Sequence, residues 1–189
     1  VTTQDPESWV NIVGRPRNRS SVTGVAYDTQ GNVISLSINP NGSKNTGNDG
    51  FATITKFDTE GNVLWQSDFM GYYYTDGYGL ATDDNDNIYL NLGQDGSYGL
   101  VLKLDSNGNQ IWAESYGHFG SDYPTYLVID MDGHPIINGW SYDPGSEGAY
   151  IIRLNKNTGD MMLNMRYWDD NQQWAAITPQ GIAIDSDNN

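Results

Sequence analysis

Carboxylates in short turns are the first residues in this sequence that could do chemistry. The segments Asp83–Asn87 and Asp130–Gly133 are rich in Asp and superficially resemble the start of an EF-hand loop, whose oxygens bind calcium. That loop also needs a Glu at its twelfth position and a flanking helix on each side, and the sequence supplies neither. We therefore predict hairpin turns in which Asp accepts local backbone N–H bonds, with no metal site and no cofactor. Calcium at one such turn is the alternative.

One basic residue recurs at a fixed position of a repeated phrase. Lys56, Lys103 and Arg153 each stand two residues before an Asp or Asn that ends the phrase. Residues two apart on a strand share a face, so each basic side chain can form an ion pair or hydrogen bond within its own repeat. A row of bound anions is the alternative. We predict the structural role, because exposed pairs in a repeated frame usually belong to the scaffold.

Tryptophan also recurs in register, as Trp65 and Trp112. A repeated aromatic side chain could stack on sugar rings. It could also fill the space between neighbouring repeats, since an indole buries a large apolar area. We predict the second role for both residues.

A second set of aromatic residues lies outside the repeated frame, between one repeat and the next. We predict that these residues lie on loops that emerge on one face and form a contact surface for protein or carbohydrate. The residues are Tyr72, Tyr73, Tyr74, His118, Phe119, Tyr123, Trp168 and Trp174. The carboxylates of the same segments are Asp76, Asp122, Asp169 and Asp170. The competing interpretation is that these side chains cover repeat edges or are buried against neighbouring chains.

Catalytic arrangements are not evident in the sequence. It has two His and no Cys, and it contains neither a Gly-x-Ser-x-Gly nor a His-Glu-x-x-His segment. Carboxylates are plentiful, but glycosidase chemistry needs two of them at a defined separation. We therefore predict that the protein is not an enzyme.

The charge balance limits the partners. Lys and Arg number 9 and Asp and Glu 24 in 189 residues, which gives a formal net charge of −15. Nucleic acids and anionic membranes both attract positive surfaces, so we predict neither nucleic-acid binding nor membrane insertion. No apolar run approaches the roughly 20 residues that span a bilayer.

Internal repetition predicts the fold. One phrase ends in Asp four times, at Gly24–Asp28, Gly79–Asp83, Tyr126–Asp130 and Gly181–Asp185. A second phrase lies between these, at Ile54–Asp58, Val101–Asp105 and Ile151–Asn155. Each is a short run rich in β-branched and aromatic residues followed by a Gly or Asn turn, which is typical of β-hairpins. The aligned Asp residues are 47 to 55 residues apart, and two hairpins in that length indicate a four-stranded propeller blade.

The predicted fold class is all-β, with about three complete blades of four antiparallel strands and a partial blade at each end. The blades span approximately 21–70, 76–117 and 123–168, and residues 8–14 and 180–189 belong to the partial blades. Since the last repeat stops inside a turn, we expect this single propeller segment to come from a longer polypeptide. A β-solenoid is the alternative, although its repeats are usually shorter.

The repeat resembles the bacterial β-propeller repeat family. The first half of a unit matches at Asp76, Gly79–Asn87, Ile88 and Tyr89, and the second half at Asp49, Phe51, Lys56, Asp58, Gly61 and Trp65. The second half is repeated at Lys103, Asp105, Gly108 and Trp112, and Asp122 resembles the Asp that opens the next unit. The third unit departs from the pattern, with Arg153 for Lys and Leu163 for Trp.

Similar repeats occur in bacterial surface proteins and in fibre and virion proteins of marine phages, whose richness in Asn, Gly and Tyr this sequence shares. The resemblance implies a non-enzymatic structural or adhesive module of an extracellular assembly, most closely a phage fibre or virion protein, whose partners are other protein subunits. The alternative is a secreted or surface-anchored bacterial propeller that binds a surface glycan. A polysaccharide-active enzyme is less favoured.

Overall fold

The computed structural model describes residues 21–39, 51–70, 74–94, 98–117, 121–143, 146–168, 179, 181–185 and 187. In these residues twelve strands form three antiparallel sheets of four strands, and each sheet is built from consecutive strands. The predicted all-β class with four-stranded, blade-like sheets is confirmed. Among the described residues, no helix is long and apolar enough to cross a membrane.

Within each sheet, a tight turn joins the first strand to the second and the third strand to the fourth. The first sheet contains β1 (Ser21–Tyr27), β2 (Val33–Asn39), β3 (Phe51–Phe57) and β4 (Val63–Met70). The second contains β5 (Tyr74–Thr82), β6 (Ile88–Gln94), β7 (Tyr98–Leu104) and β8 (Gln110–Tyr116). The third contains β9 (Ser121–Ile129), β10 (Pro135–Asp143), β11 (Ser146–Leu154) and β12 (Met161–Trp168).

The three sheets stack face to face. We call the side of a sheet that looks toward the next sheet its forward face, and the opposite side its rear face. One apolar core joins the forward face of the first sheet (Ile34, Leu36, Ile38, Ala52, Ile54) to the rear face of the second (Ile88, Leu90, Leu92, Leu100, Leu102, Leu104). A second core joins the forward face of the second sheet (Tyr89, Val101, Trp112, Tyr116) to the rear face of the third (Leu127, Ile137, Tyr150, Ile152, Leu154). Alternate residues of each strand face opposite sides of the sheet, as the period of two requires, so the second sheet contributes to both cores.

The first strands of adjacent sheets approach closely at a glycine. A Cβ on Gly24 would lie 2.8 Å from the Cβ of Leu80, and a Cβ on Gly79 would lie 2.6 Å from the Cβ of Leu127. Both distances are well below van der Waals contact, so these positions exclude a side chain at the present sheet separation. Tyr126 occupies the corresponding position of the third sheet and is partly exposed.

The last repeated phrase, Gly181–Asp185, has no assigned strand in the structure. Its carbonyl at Gly181 accepts a bond from Asn138 Nδ2 at 3.0 Å, and Asp185 Oδ1 accepts one from the backbone of Asp187 at 2.9 Å. Asp185 therefore makes one of the two turn bonds that the other repeats show. A strand also needs a hydrogen-bonded neighbour, and no strand of the described chain pairs with this segment. The other partial blade, predicted at 8–14, lies outside the described residues.

Candidate functional site

The Asp-rich turns are held by a repeated set of hydrogen bonds. In each, one Asp Oδ1 accepts from the backbone N–H groups two and four residues later, at 2.8–3.0 Å. The aspartates are Asp28, Asp58, Asp83, Asp105 and Asp130. The predicted turn role is confirmed. Within the described ranges, no three His, Asp or Glu side chains come together to hold a metal ion.

These bonds favour the ionised carboxylate and therefore make stability depend on pH. The side chain and backbone of Asn62 lower the pKa of Asp58, and those of Asn109 lower the pKa of Asp105. A carboxyl whose pKa is lower in the folded state stabilises the fold above its unfolded value of about 4, and this contribution is lost as the pH falls through the folded-state pKa. The turns thus weaken in acid.

A double variant, Asp58→Asn with Asp105→Asn, tests this linkage. An amide can accept the same bonds, because Asn155 Oδ1 accepts from the backbone of Asn157 at 2.9 Å in the third sheet. We expect urea midpoints that fall less steeply below about pH 4 than those of the parent chain. Glu114→Gln, at an exposed carboxylate outside these turns, is the control. Parallel pH profiles for the double variant and the parent would contradict the assignment.

The repeated basic residues form ion pairs within their own sheets, as predicted. Lys56 Nζ lies 2.9 Å from Asp28 Oδ2, and Arg153 lies 2.6 Å from Asp130 Oδ2. Lys103 Nζ lies farther from its Asp, at 4.0 Å from Asp83 Oδ2. In every case the partner is the Asp of the first turn of the sheet, and not the Asp or Asn that stands two residues after the basic residue. The anion-binding alternative loses support because these cations are already paired.

Each lysine also reaches the following sheet. Lys56 Nζ donates to the Ser106 carbonyl at 3.2 Å, and Lys103 Nζ donates to the Lys156 carbonyl at 2.8 Å. Burial lowers the pKa of Lys103, while the nearby Asp83 acts in the opposite direction. Each of the two lysines therefore joins the first turn of its own sheet to one turn of the next.

Trp65 and Trp112 donate hydrogen bonds to the same carbonyls as Lys56 and Lys103 do. Trp65 Nε1 donates to the Ser106 carbonyl at 3.2 Å, and Trp112 Nε1 donates to the Lys156 carbonyl at 3.1 Å. Each ring lies against a left-handed glycine of that turn, Gly108 or Gly159, where a Cβ would lie 3.0–3.1 Å from ring carbons. We call this arrangement of indole, carbonyl and glycine the indole latch. The predicted packing role of both tryptophans between repeats is confirmed.

A Trp112→Phe variant measures the contribution of one latch. Phe cannot donate to the Lys156 carbonyl and fills less of the space that the indole occupies against Gly159. We expect the free energy of unfolding to fall by at least about 1 kcal/mol, measured by urea denaturation. The control is Tyr167→Phe on an exposed surface of β12, which should change it by less than about 0.5 kcal/mol. Equal effects would show that the latch bond does not contribute.

The predicted contact surface is only partly described. Tyr72, Tyr73, His118, Phe119, Trp174, Asp169 and Asp170 lie outside the described residues. Tyr74 and Asp76 belong to β5, Asp122 and Tyr123 to β9, and Trp168 to β12, so their assignment to loops was wrong. Strands β5 and β9 begin before the repeated phrases, because bulges at Tyr74–Gly79 and opposite Gly139 accommodate extra residues. Strand β12 continues to Trp168.

Asp122 is not part of an exposed surface. Its side chain is 1% exposed, and its two oxygens accept from Nη1 and Nη2 of Arg166 at 3.3 and 3.1 Å. Arg166 Nη1 also donates to Ser141 Oγ at 3.1 Å. The pair lies beside Tyr150, whose hydroxyl pKa is raised by burial. Sequence reasoning missed this pair because its partners are separated by 44 positions and belong to different strands.

Tyr123 instead lies on the forward face of the third sheet. Its ring stacks on Trp140, with centroids 4.2 Å apart and planes 10° apart. Trp140 was not singled out from the sequence because it lies within β10, in the repeated frame. Cross-strand register continues the row from Tyr123 and Trp140 through Ala149 to Tyr167.

Strand β12 extends this face outward. Leu163 pairs with Arg153 as Trp65 pairs with Lys56, so Leu163 projects to the same side as the latch tryptophans. Met165 and Tyr167 follow at alternate positions and share that side. With Tyr126 on β9, these side chains are 39–52% exposed. The forward faces of the first two sheets are covered by the next sheet, whereas this one carries partly exposed aromatic and aliphatic residues.

One cleft of about 480 Å³ lies where the turns after β5 and β9 approach Ile184 and Asp185. Its lining includes Asp83 and Asp130, whose carboxylates are committed to turn bonds and ion pairs. Lys156 Nζ, also in the lining, donates to the Asp132 carbonyl at 2.6 Å. The cleft shows no pairing of a nucleophile with a base among its described residues. We therefore take the forward face of the third sheet as the candidate functional site.

Comparison with known proteins gives a distant structural similarity. No family model matches the chain, and no curated protein matches it. A crystal structure of a protein of unknown function from Bacteroides caccae is similar, with a TM-score of 0.45 and 9% identity. The similarity covers 77% of this chain and 61% of that one, so this chain spans less than two thirds of that protein's length. The fold assignment therefore rests on the strand topology of the chain itself.

Proposed function

We propose that this chain is a non-enzymatic structural and adhesive propeller module of an extracellular assembly, and that a phage fibre or virion protein is its setting. The observation that supports this is the forward face of the third sheet. Leu163 and Tyr167 are 42% and 52% exposed there, whereas the residues at the same register positions of the second sheet, Trp112 and Tyr116, are 8% and 5% exposed. Contiguous exposed apolar surface usually marks a contact site.

The composition of this face suits protein partners. It presents Tyr126, Met165 and Tyr167, and aromatic residues and Met are enriched at protein interfaces. The matching partner is another β-sheet, because the repeated segment Gly181–Asp185 already bonds to Asn138 on this side. A further four-stranded sheet packed on this face would complete the contact in the same way as the second and third sheets do.

The ionisable groups of the repeated frame support a non-enzymatic role. The turn aspartates accept several local hydrogen bonds, and the repeated cations pair with them. Groups held in this way serve the scaffold and are not free to exchange protons with a substrate. The resemblance to phage repeats supports the proposed setting.

A second candidate is glycan binding, favoured by the stacked pair of Tyr123 and Trp140. Both rings are partly accessible and lie on the same face. Aromatic rings beside polar groups form typical ligand surfaces. In a glycan array, Trp140→Ala would abolish a signal due to this pair. A signal retained by the variant would remove this candidate.

Assembly can be tested with a double variant, Leu163→Asp with Met165→Asp. Two carboxylates on the forward face would have to be desolvated on docking, so we expect incorporation into the native particle to fall at least tenfold, about 1.4 kcal/mol. Incorporation is measured by sedimentation and by antibody-labelled electron microscopy of source material. Ile111→Asp, 49% exposed on the outer strand of the second sheet, is the matched control. Normal incorporation of the double variant, or a native chain that sediments as a free polypeptide, would contradict the proposal.

A further inference from the structure

The first strands of successive sheets repeat one contact. On the forward side of β1, a Cβ at Gly24 would lie 2.8 Å from the Cβ of Leu80 in β5. On the forward side of β5, a Cβ at Gly79 would lie 2.6 Å from the Cβ of Leu127 in β9. In both cases the glycine that begins one repeated phrase receives the aliphatic residue at the second position of the next phrase. The contact therefore has two halves, a glycine on a forward side and an aliphatic side chain on a rear side.

The glycine half is open at Gly181, the first residue of the fourth phrase. A Cβ there would meet nothing within 4 Å, in contrast to the two earlier glycines. The phrase is nevertheless seated on the third sheet, since Asn138 Nδ2 donates to the Gly181 carbonyl at 3.0 Å. Along the phrase, Ile182 and Ile184 are partly buried, whereas Gly181 and Ala183 are exposed. By their positions in the phrase, the covered residues belong to the rear side and the exposed ones to the forward side.

The aliphatic half is open at Val25, at the other end of the stack. Val25 has the position in the first phrase that Leu80 and Leu127 have in theirs. It is 54% exposed, whereas Leu127 is 7% exposed. Tyr27, two residues later on the same rear side of β1, is 64% exposed. Of the described strands, β1 packs against β2 and β5, and neither covers its rear side. One half of the repeated contact is thus exposed at each end of the described stack.

We propose that a second copy of this chain completes the contact, with β1 of one copy packed on Gly181–Asp185 of another and Val25 against Gly181. Both halves are present on one chain, and they have the residue types that the two internal contacts use. A contact between two different surfaces of identical chains adds copies head to tail, and it forms a ring or a filament. The inference rests on the proposed function, since it names the chain itself as one partner in the assembly.

Repulsion between copies sets the conditions of the test. Each copy has a formal net charge of −15, so two copies repel each other as they approach. Salt screens this repulsion, with a Debye length of about 10 Å at 0.1 M ionic strength. We therefore expect self-association to increase with salt as well as with protein concentration.

Sedimentation of the purified chain measures the contact. We expect the average mass to rise with concentration by the addition of whole copies. Val25→Asp adds a carboxylate that docking must desolvate, and Gly181→Leu fills the space that Val25 would occupy. Each should weaken association at least tenfold and keep the urea midpoint of the monomer, because both positions are exposed. Val63→Asp, 49% exposed on β4, is the matched control and should associate as the parent chain does.

Mixing the two variants tests the direction of the contact. Val25→Asp retains an intact Gly181, and Gly181→Leu retains an intact Val25, so one head-to-tail contact can form between them. At a concentration where each variant alone is a monomer, the mixture should form a dimer of one copy of each that grows no further. A parent chain that stays monomeric at every concentration, or a mixture without dimers, would overturn the proposal.

This inference and the proposed function can fail separately. A chain that associates head to tail but is absent from any native particle would support this contact and contradict the proposed setting. A chain that is monomeric in sedimentation but is incorporated normally into a particle would contradict this contact and support the setting.

Discussion

Replacing Asp28 with Ala should lower the free energy of unfolding by about 3–5 kcal/mol, the usual cost of removing one member of a buried ion pair. The Lys56 and Asp28 side chains are 6% and 0% exposed, so the variant leaves a buried cation without its carboxylate. Burial acts to raise the pKa of Asp28, but hydrogen bonds from Lys56 and Asn32 outweigh it and the pKa is lowered. The carboxylate is therefore the form that the fold requires.

Urea denaturation of three further variants separates the two roles of Asp28. Asp28→Asn retains the acceptor for the turn and should lose less stability than Asp28→Ala. Adding Lys56→Met to Asp28→Asn should recover part of the loss, because the unpaired cation is removed. Asp58→Ala, at an exposed turn of the same type, should cause the smallest loss of stability. If Asp28→Ala proved no more damaging than Asp58→Ala, the ion pair would not be a main support of the first sheet.

A Gly79→Ala substitution should destabilise the stack by about 1–3 kcal/mol through overpacking. The new Cβ would lie 2.6 Å from the Cβ and 3.1 Å from the backbone nitrogen of Leu127. Neither atom can turn aside as the end of a flexible side chain can, so β5 and β9 would have to separate. Such a shift also loosens the second core, which is packed on both strands.

The matched control is Gly181→Ala, because a Cβ there would meet nothing within 4 Å. Urea unfolding should give nearly the parent stability for this variant. Leu127→Ala should not rescue Gly79→Ala, since alanine keeps the Cβ that makes the contact. Full stability of Gly79→Ala would mean that the sheets can separate at no cost.

The repeated units were predictable from sequence because their determinants are local. Alternating apolar residues place each strand, and an Asp that accepts bonds from the next few residues places each turn, so both features recur as phrases. The structural roles of Lys56 and Trp65 followed from the same recurrence. The particular partner of Lys56 did not, because Asp28 is reached only when three strands lie side by side.

The candidate site was less predictable, because it depends on the stacking of sheets. Tyr123 was identified for its type, but its neighbour Trp140 and its position on the forward face follow from register. The ion pair of Asp122 and Arg166 crosses from β9 to β12 within the third sheet, and no short spacing indicates it. Strand ends were displaced by bulges, which periodicity does not reveal.

The latch bonds all run in the same direction along the stack, and the forward face of the third sheet lacks them. Trp65 and Lys56 hold the second sheet, and Trp112 and Lys103 hold the third, always from one sheet to the next. At the forward end of the third sheet, the side chain of Leu163 has no N–H to donate, and the Arg153 guanidinium is bonded to Asp130 and Asp132. A partner that docks there, as proposed above, would be held chiefly by apolar packing. Under mechanical tension along the stack, that contact should therefore break before the two contacts that carry latches.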